Sequence, residues 1–147
     1  LANRSMIASG PSSVILTPVP PRGWAQRPED LLGHTLISAN AVTPAPEWRF
    51  KVADGISAVK VTPRLLTTTN DAAVAATVGG FGLTRLMSYQ VDELVRKGQL
   101  RRVLEPFELA PLPVHLVHRE GRHASLKARA FLDLALERLR ERLGALA

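Results

Sequence analysis

The stretch from Thr67 to His118 constrains this chain most, because it alternates strand, capped helix, glycine turn and strand. It opens with Thr67-Thr68-Thr69-Asn70-Asp71-Ala72-Ala73-Val74-Ala75-Ala76-Thr77-Val78-Gly79-Gly80-Phe81-Gly82-Leu83. Ser88-Tyr89-Gln90-Val91, Gly98-Gln99-Leu100 and Pro111-Leu112-Pro113-Val114-His115-Leu116-Val117-His118 follow. Helices that alternate with strands pack on the faces of a sheet. Ligands of such sheets collect beyond the strand ends, where helices begin.

Local signals set the elements. Thr69 or Asn70 is a good N-cap, and Asp71 puts a carboxylate in the first turn, where the helix dipole favours it. Ala72 to Val78 reads as an alanine-rich helix, small enough to pack tightly on a sheet. Gly79-Gly80 ends it and Gly82 forms the turn. Leu83 to Met87 is strand-like, and Ser88 caps a second helix, Tyr89 to Lys97, with Gly98 past its end. Leu100 to Leu104 is a further strand, Pro106 to Pro113 a connector, and Val114 to Val117 a compact strand.

Upstream, residues 5 to 9 predict a short strand. Residues 10 to 28 hold Pro11, Pro18, Pro20, Pro21 and Pro28 and predict loop, since proline lacks a donor and fixes φ. Val14-Ile15-Leu16 inside it reads as a pinned turn. Pro28-Glu29-Asp30-Leu31-Leu32 predicts one helical turn stopped by Gly33, and His34 to Ser38 a short strand. Residues 39 to 46 predict loop. Trp48, Phe50 and Val52 share one face of a strand, Asp54-Gly55 is a turn signal, and an antiparallel hairpin follows from Glu47 to Thr62. Arg64 to Thr68 predicts a buried strand. From Ala124 to Leu143, Ala128, Phe131, Leu132, Ala135, Leu139 and Leu143 keep helical spacing. The pattern predicts an α/β domain with a mixed sheet and a long C-terminal helix.

A chain of 147 residues, 46% of them hydrophobic, has enough apolar mass for a core. It has no cysteine, which excludes disulfides, thiolate metal sites and a Cys nucleophile. No apolar run approaches the ~20 residues that cross a bilayer, and no membrane partner is expected. The N-terminus carries no charged-then-apolar export pattern. The chain begins at Leu1, which reads as a fragment or an incomplete reading frame. The formal net charge is +6, but the arginines are spread along the chain and there is one tyrosine. That favours a solvated basic surface over a stacking platform for single strands.

The junction from Thr67 to Asp71 is the first candidate site. Free N–H groups and the positive end of a helix dipole meet there, beside three threonine hydroxyls. The plainer reading is that Thr69 or Asn70 only caps the helix, and a cap can border a cleft. Met87-Ser88 is a second junction of the same kind. If the two strands are parallel neighbours, both helix N-termini lie on one sheet edge. Gly79-Gly80-Phe81-Gly82 follows a helix, the reverse of a phosphate cradle. His115 and His118 are three apart on a strand and face opposite sides, so no metal site is expected. No Gly-x-Ser-x-Gly elbow exists, and Asp71 and Glu93 have no partner in the pattern. No catalytic residues, no enzyme activity and no cofactor are expected.

Several segments together resemble the effector domain of LysR-type transcriptional regulators, its second subdomain above all. They are Pro28-Glu29-Asp30-Leu31-Leu32-Gly33-His34, Trp48-Arg49-Phe50 with Asp54-Gly55, Asn70-Asp71-Ala72-Ala73, and Gly80-Phe81-Gly82-Leu83. Ser88-Tyr89-Gln90-Val91, Gly98-x-Leu100-x-x-Val103-Leu104, Leu112-Pro113-Val114-His115-Leu116-Val117 and Lys127-Ala128-Arg129-Ala130-Phe131-Leu132-Asp133 continue the match in order.

The resemblance implies an incomplete periplasmic-binding-protein-like (type 2) fold. Residues 1–111 would be effector-binding subdomain II, with a proline-rich insert at 10–28 in place of the family's short helix. Residues 112–147 would be the returning strand and C-terminal helix of subdomain I. The family's winged helix-turn-helix and most of subdomain I are missing from this sequence, so DNA would be met only through a domain absent from it. The implied partners are a small-molecule effector, with a carboxylate as one candidate, and a second copy joined through the sheet or the C-terminal helix. That helix would carry an apolar face without its usual partner. Carried over by position, the effector-binding residues are Thr69, Asn70, Asp71, Met87 and Ser88, with Ser38 and Trp48 beside them. A cytoplasmic location is implied too. The competing readings are a lobe of a solute-binding protein, a small enzyme, and a nucleic-acid binder acting through the basic C-terminal helix.

Overall fold

The computed structural model describes residues 3–7, 13–18, 25–39, 47–118 and 125–144. In chain order the strands and helices begin with β1 (Asn3–Ile7), β2 (Ser13–Pro18), β3 (Leu36–Ala39), β4 (Glu47–Val52), β5 (Gly55–Lys60) and β6 (Leu65–Thr67). They continue with α1 (Asn70–Val78), β7 (Leu83–Met87), α2 (Ser88–Arg96), β8 (Leu100–Val103), β9 (Val114–His118) and α3 (Leu126–Gly144). Short 3-10 turns occupy Pro28–Gly33 and Glu105–Phe107.

The chain divides into two compact units, Ser13–Leu109 and a smaller one made of Leu1–Ser12 with Ala110–Ala147. The division differs from the expected 1–111 and 112–147 at its start, because β1 pairs antiparallel with β9, Asn3 opposite His118. The first strand therefore groups with the C-terminal segment. In this smaller unit Ser125 caps α3, its Oγ accepting the N–H of Ala128 at 3.3 Å. Along α3, Ala128, Leu132, Ala135 and Leu139 are half-buried and Leu143 is buried. Phe131, expected on that face, is exposed, as are Leu126 and Leu134.

The larger unit is built on a five-stranded sheet in the order β6-β3-β7-β2-β8. β3 runs parallel to β6 and β7, while β2 runs antiparallel to β7 and β8. Four strands thus share one direction and β2 opposes them, which is the mixed sheet expected. The placement of β2 corrects the sequence reading. Val14-Ile15-Leu16 is no pinned turn but the middle of a strand inside the sheet, with all three residues at 2% exposure or less. Pro18 ends the strand rather than breaking it, and the rest of the expected 10–28 loop lies partly outside the described residues. The apolar run shows no alternation because both of its faces are covered.

One face of this sheet packs Val14, Leu16, Leu86 and Leu100 against Val91 of α2, with Val74 of α1 and Leu94 and Val95 of α2 alongside. The opposite face packs Ile15, Leu36, Leu83 and Val103 against Trp48, Phe50 and Val59 of the hairpin and Leu31 of the 3-10 turn. The β4–β5 hairpin forms as expected, with Trp48 opposite Val59 and Val52 opposite Gly55. Fully burying one such aliphatic side chain is worth about 1.5–3 kcal/mol, so the two clusters hold the layers together. The 64–68 strand was expected to be buried. It forms as β6, but at the sheet edge, with Leu65 and Leu66 exposed.

One glycine matters for the sheet. Gly82 has φ +154°, and a Cβ there would lie 2.3 Å from the carbonyl oxygen of Thr35. That close approach lets the N–H of Leu83 reach the same oxygen at 2.9 Å and joins β7 to the chain entering β3.

Candidate functional site

The parallel strands β3 and β7 end at Ala39 and Met87, β6 ends at Thr67, and the antiparallel β2 begins at Ser13 opposite Met87. Helices α1 and α2 start at this same edge. The two junction strands, β6 and β7, are not neighbours as supposed, because β3 lies between them. All three are parallel, so the conclusion about a shared edge still holds.

A cleft of about 280 Å³ opens there, lined by Ser13, Ser38, Ala39, Trp48, Asn70, Arg85, Leu86, Met87 and Gln90. Four residues expected from the sequence meet in it: Ser38, Trp48, Asn70 and Met87. Three do not line it. The hydroxyl of Thr69 caps α1, accepting the N–H of Ala72 at 3.2 Å. Asp71, one residue into that helix, is exposed. Ser88 is buried as the first residue of α2, and the cap position belongs to Met87 instead. The threonine hydroxyls serve the turn itself, since that of Thr67 donates to the carbonyl oxygen of Thr69 at 3.0 Å.

Three polar lining residues escaped the sequence reading. Gln90 sits three residues after the cap, and its Oε1 accepts the N–H of Met87 at 3.2 Å. A Gln at that spacing is a cap signature. Ser13 was hidden in the segment read as loop. Arg85 lay unremarked within Leu83 to Met87, which read only as strand-like.

In the structure Arg85 points to the hairpin side of the sheet. Cross-strand partners share a face, and Arg85 is opposite Ile15, which packs in the hairpin cluster. Its Nε donates to Ser13 Oγ at 2.7 Å, and its guanidinium carbon lies 5.8 Å from the centre of the Phe50 ring. Burial pushes its pKa down from the ordinary arginine value. An arginine nonetheless keeps its charge in proteins, so the cleft holds a fixed cation. Among the described residues no carboxylate pairs with it. The cleft can therefore offer amide, hydroxyl and guanidinium donors to a ligand, with the Trp48 edge as an apolar wall.

Comparison with known proteins bears on this geometry. A model of the family described as LysR substrate binding domain matches residues 13–140. An uncharacterized HTH-type transcriptional regulator, YhjC of Escherichia coli (strain K12), is 26% identical over 113 residues, covering 76% of this chain and 38% of the relative. An HTH-type transcriptional repressor of Pseudomonas aeruginosa (strain UCBPP-PA14) is 31% identical over 67 residues, covering 46% of this chain and 21% of the relative. The chain thus spans well under half the length of these two relatives. Among solved structures, the regulatory domain of AphB from Vibrio vulnificus, treated with cumene hydroperoxide, superposes with a TM-score of 0.79 at 18% identity, covering 92% of this chain and 68% of that one. CrgA of Neisseria meningitidis, a LysR-type transcriptional regulator, superposes with a TM-score of 0.77 at 20% identity, covering 94% of this chain and 48% of that one.

Proposed function

Because the chain belongs to the LysR substrate-binding domain family, we propose that its larger unit is the effector-binding lobe of a transcriptional regulator. The fold is periplasmic-binding-protein-like, as in the regulatory domains compared above. The family is one of transcriptional regulators, which is not an enzyme class. The observation that carries the proposal is the cleft at the shared edge of β3 and β7, where Ser38, Asn70, Arg85 and Gln90 converge. Convergent polar groups in a concavity are the usual mark of a small-molecule site, and about 280 Å³ suits a ligand at the small end of the range. A small polar effector, carboxylates included, fits donors of this kind.

On this reading the smaller unit is the returning strand and helix of subdomain I, and a second copy joins through exposed apolar side chains. Leu65 and Leu66 at the sheet edge and Phe131 and Leu134 on α3 are the candidates. DNA would be contacted by another domain of the whole regulator, acting in the cytoplasm. Among the described residues no helix is long and apolar enough to cross a membrane. A solute-binding lobe would share the fold, but the family match favours the regulator.

A thermal-shift screen of a small-metabolite library tests the proposal. Compounds that raise the melting temperature of the native chain should fail to do so for Ser38→Leu, which puts a bulky side chain on the cleft lining. Compounds that stabilise both proteins equally would contradict it.

A further inference from the structure

The charge balance of the cleft is one-sided. Of the nine lining residues, Arg85 is the only one that carries a formal charge. It is half-buried on an inner strand of the sheet, and among the described residues it has no ion pair. Placing a cation there without a counter-charge is unfavourable, and natural cores seldom retain one unless it meets an anion.

The geometry around it is held from two sides. Nε is committed to Ser13 Oγ at 2.7 Å, and the guanidinium carbon lies over the Phe50 ring, 5.8 Å from its centre. The hydrogen bond uses Nε and leaves the two terminal amino groups without a protein partner among the described residues. An arginine held this way presents a planar pair of donors, which matches the two oxygens of a carboxylate. Around it the cleft adds side-chain amides from Asn70 and Gln90 and the hydroxyl of Ser38, with no Asp or Glu among the lining residues. Gln90 already spends its oxygen on the N–H of Met87, so its amino group is the end left for a ligand. The lining is thus rich in donors and free of fixed negative charge.

We propose that Arg85 is the specificity-determining anchor of the cleft, and that it takes one anionic group of the effector, a carboxylate or an oxyanion of similar size. Ser13 acts as a positioning residue, since its Oγ holds the guanidinium of Arg85. This rests on the effector-lobe reading above and adds to it the ligand's charge and the group that reads it.

The test uses the full chain and matched pairs of probes, acetate with acetamide and benzoate with benzamide, with inorganic sulfate as a second anion. Affinities are read by isothermal calorimetry or ligand-observed NMR. The anions are expected to bind the native chain at least about tenfold more tightly than their amides, the usual worth of a charge-assisted hydrogen bond. Arg85→Gln should erase that preference. Arg85→Lys should retain a preference for anions over amides, weakened for the planar carboxylates relative to sulfate. Ser13→Ala should lower carboxylate affinity by a larger factor than amide affinity. If Arg85→Gln fails to fold, as judged by circular dichroism, the lysine variant carries the test alone.

Equal binding of anions and amides by the native chain, or an anion preference that survives Arg85→Gln, overturns the proposal. So does the failure of every anion to bind. Amides that bind and are displaced by Ser38→Leu, with no preference for charge, would remove the role of Arg85 and leave the effector-lobe reading standing.

Discussion

Leu16 offers the sharpest test of the sheet. It lies on β2 opposite Thr84 of β7 and Arg102 of β8, and it has no exposed surface. It packs among Val14, Leu86, Val91 and Leu100. Leu16→Ala removes three carbons, worth about 2.4 kcal/mol of transfer free energy at ~0.8 kcal/mol each. The cavity left between sheet and helices raises the expected total to about 3–4 kcal/mol, within the range of such truncations. Leu32→Ala supplies the control, because Leu32 is 70% exposed beside the fully buried Leu31. Its expected change is within about 0.5 kcal/mol. Urea unfolding followed by circular dichroism at pH 7 reads both, with the denaturant slope unchanged. If residues 14–16 were a loop pinned to the surface, the two variants would behave alike. Equal small losses would therefore refute the placement of β2 inside the sheet.

Three further outcomes are expected. Gly82→Ala should destabilise by about 2 kcal/mol or more, measured by chemical denaturation, because the new Cβ meets the Thr35 carbonyl at 2.3 Å and φ is +154°. Thr69→Ala should cost about 1 kcal/mol of stability through loss of the α1 cap, yet leave ligand affinity in the cleft unchanged; a large loss of affinity at constant fold would return Thr69 to the site. The Asp30 carboxylate accepts the N–H groups of Arg27 and Gln26 at 2.9 and 2.8 Å, which lowers its pKa below 3.8. Its stabilising effect is thus present above the unfolded value of 3.8 and lost as pH falls through the lower folded value. Asp30→Ala should accordingly lose stability at pH 7 and converge with the native chain in acid; a gap that persists in acid would contradict the assignment.

What the sequence revealed follows the range of the interactions involved. The hairpin was legible because alternation at Trp48, Phe50 and Val52 and the Asp54-Gly55 turn are local signals. The helices were legible through Thr69 and Gly98, whose caps also act within a few residues. β2 was not, because its partners Arg85 and Val103 lie far along the chain and the surrounding prolines outweighed a three-residue apolar run. For the same reason β1 could not be assigned to the unit of β9. The sheet edge, Asn70 and Met87 were inferred from junction chemistry, while Arg85 was missed because strand alternation alone cannot say that a charged position faces a covering hairpin. A cation two residues before a strand-to-helix junction was the available signal.

The central claim is that a small ligand settles at the edge of β3 and β7. An amide chemical-shift titration of the labelled chain, with a library of small carboxylates and neutral polar fragments, tests it most directly. Saturable shifts concentrated at Ser13, Ser38, Asn70 and the run from Arg85 to Gln90 are expected. Saturable binding whose shifts instead gather on the Pro28–Gly33 turn, on β8 or along α3 would contradict it.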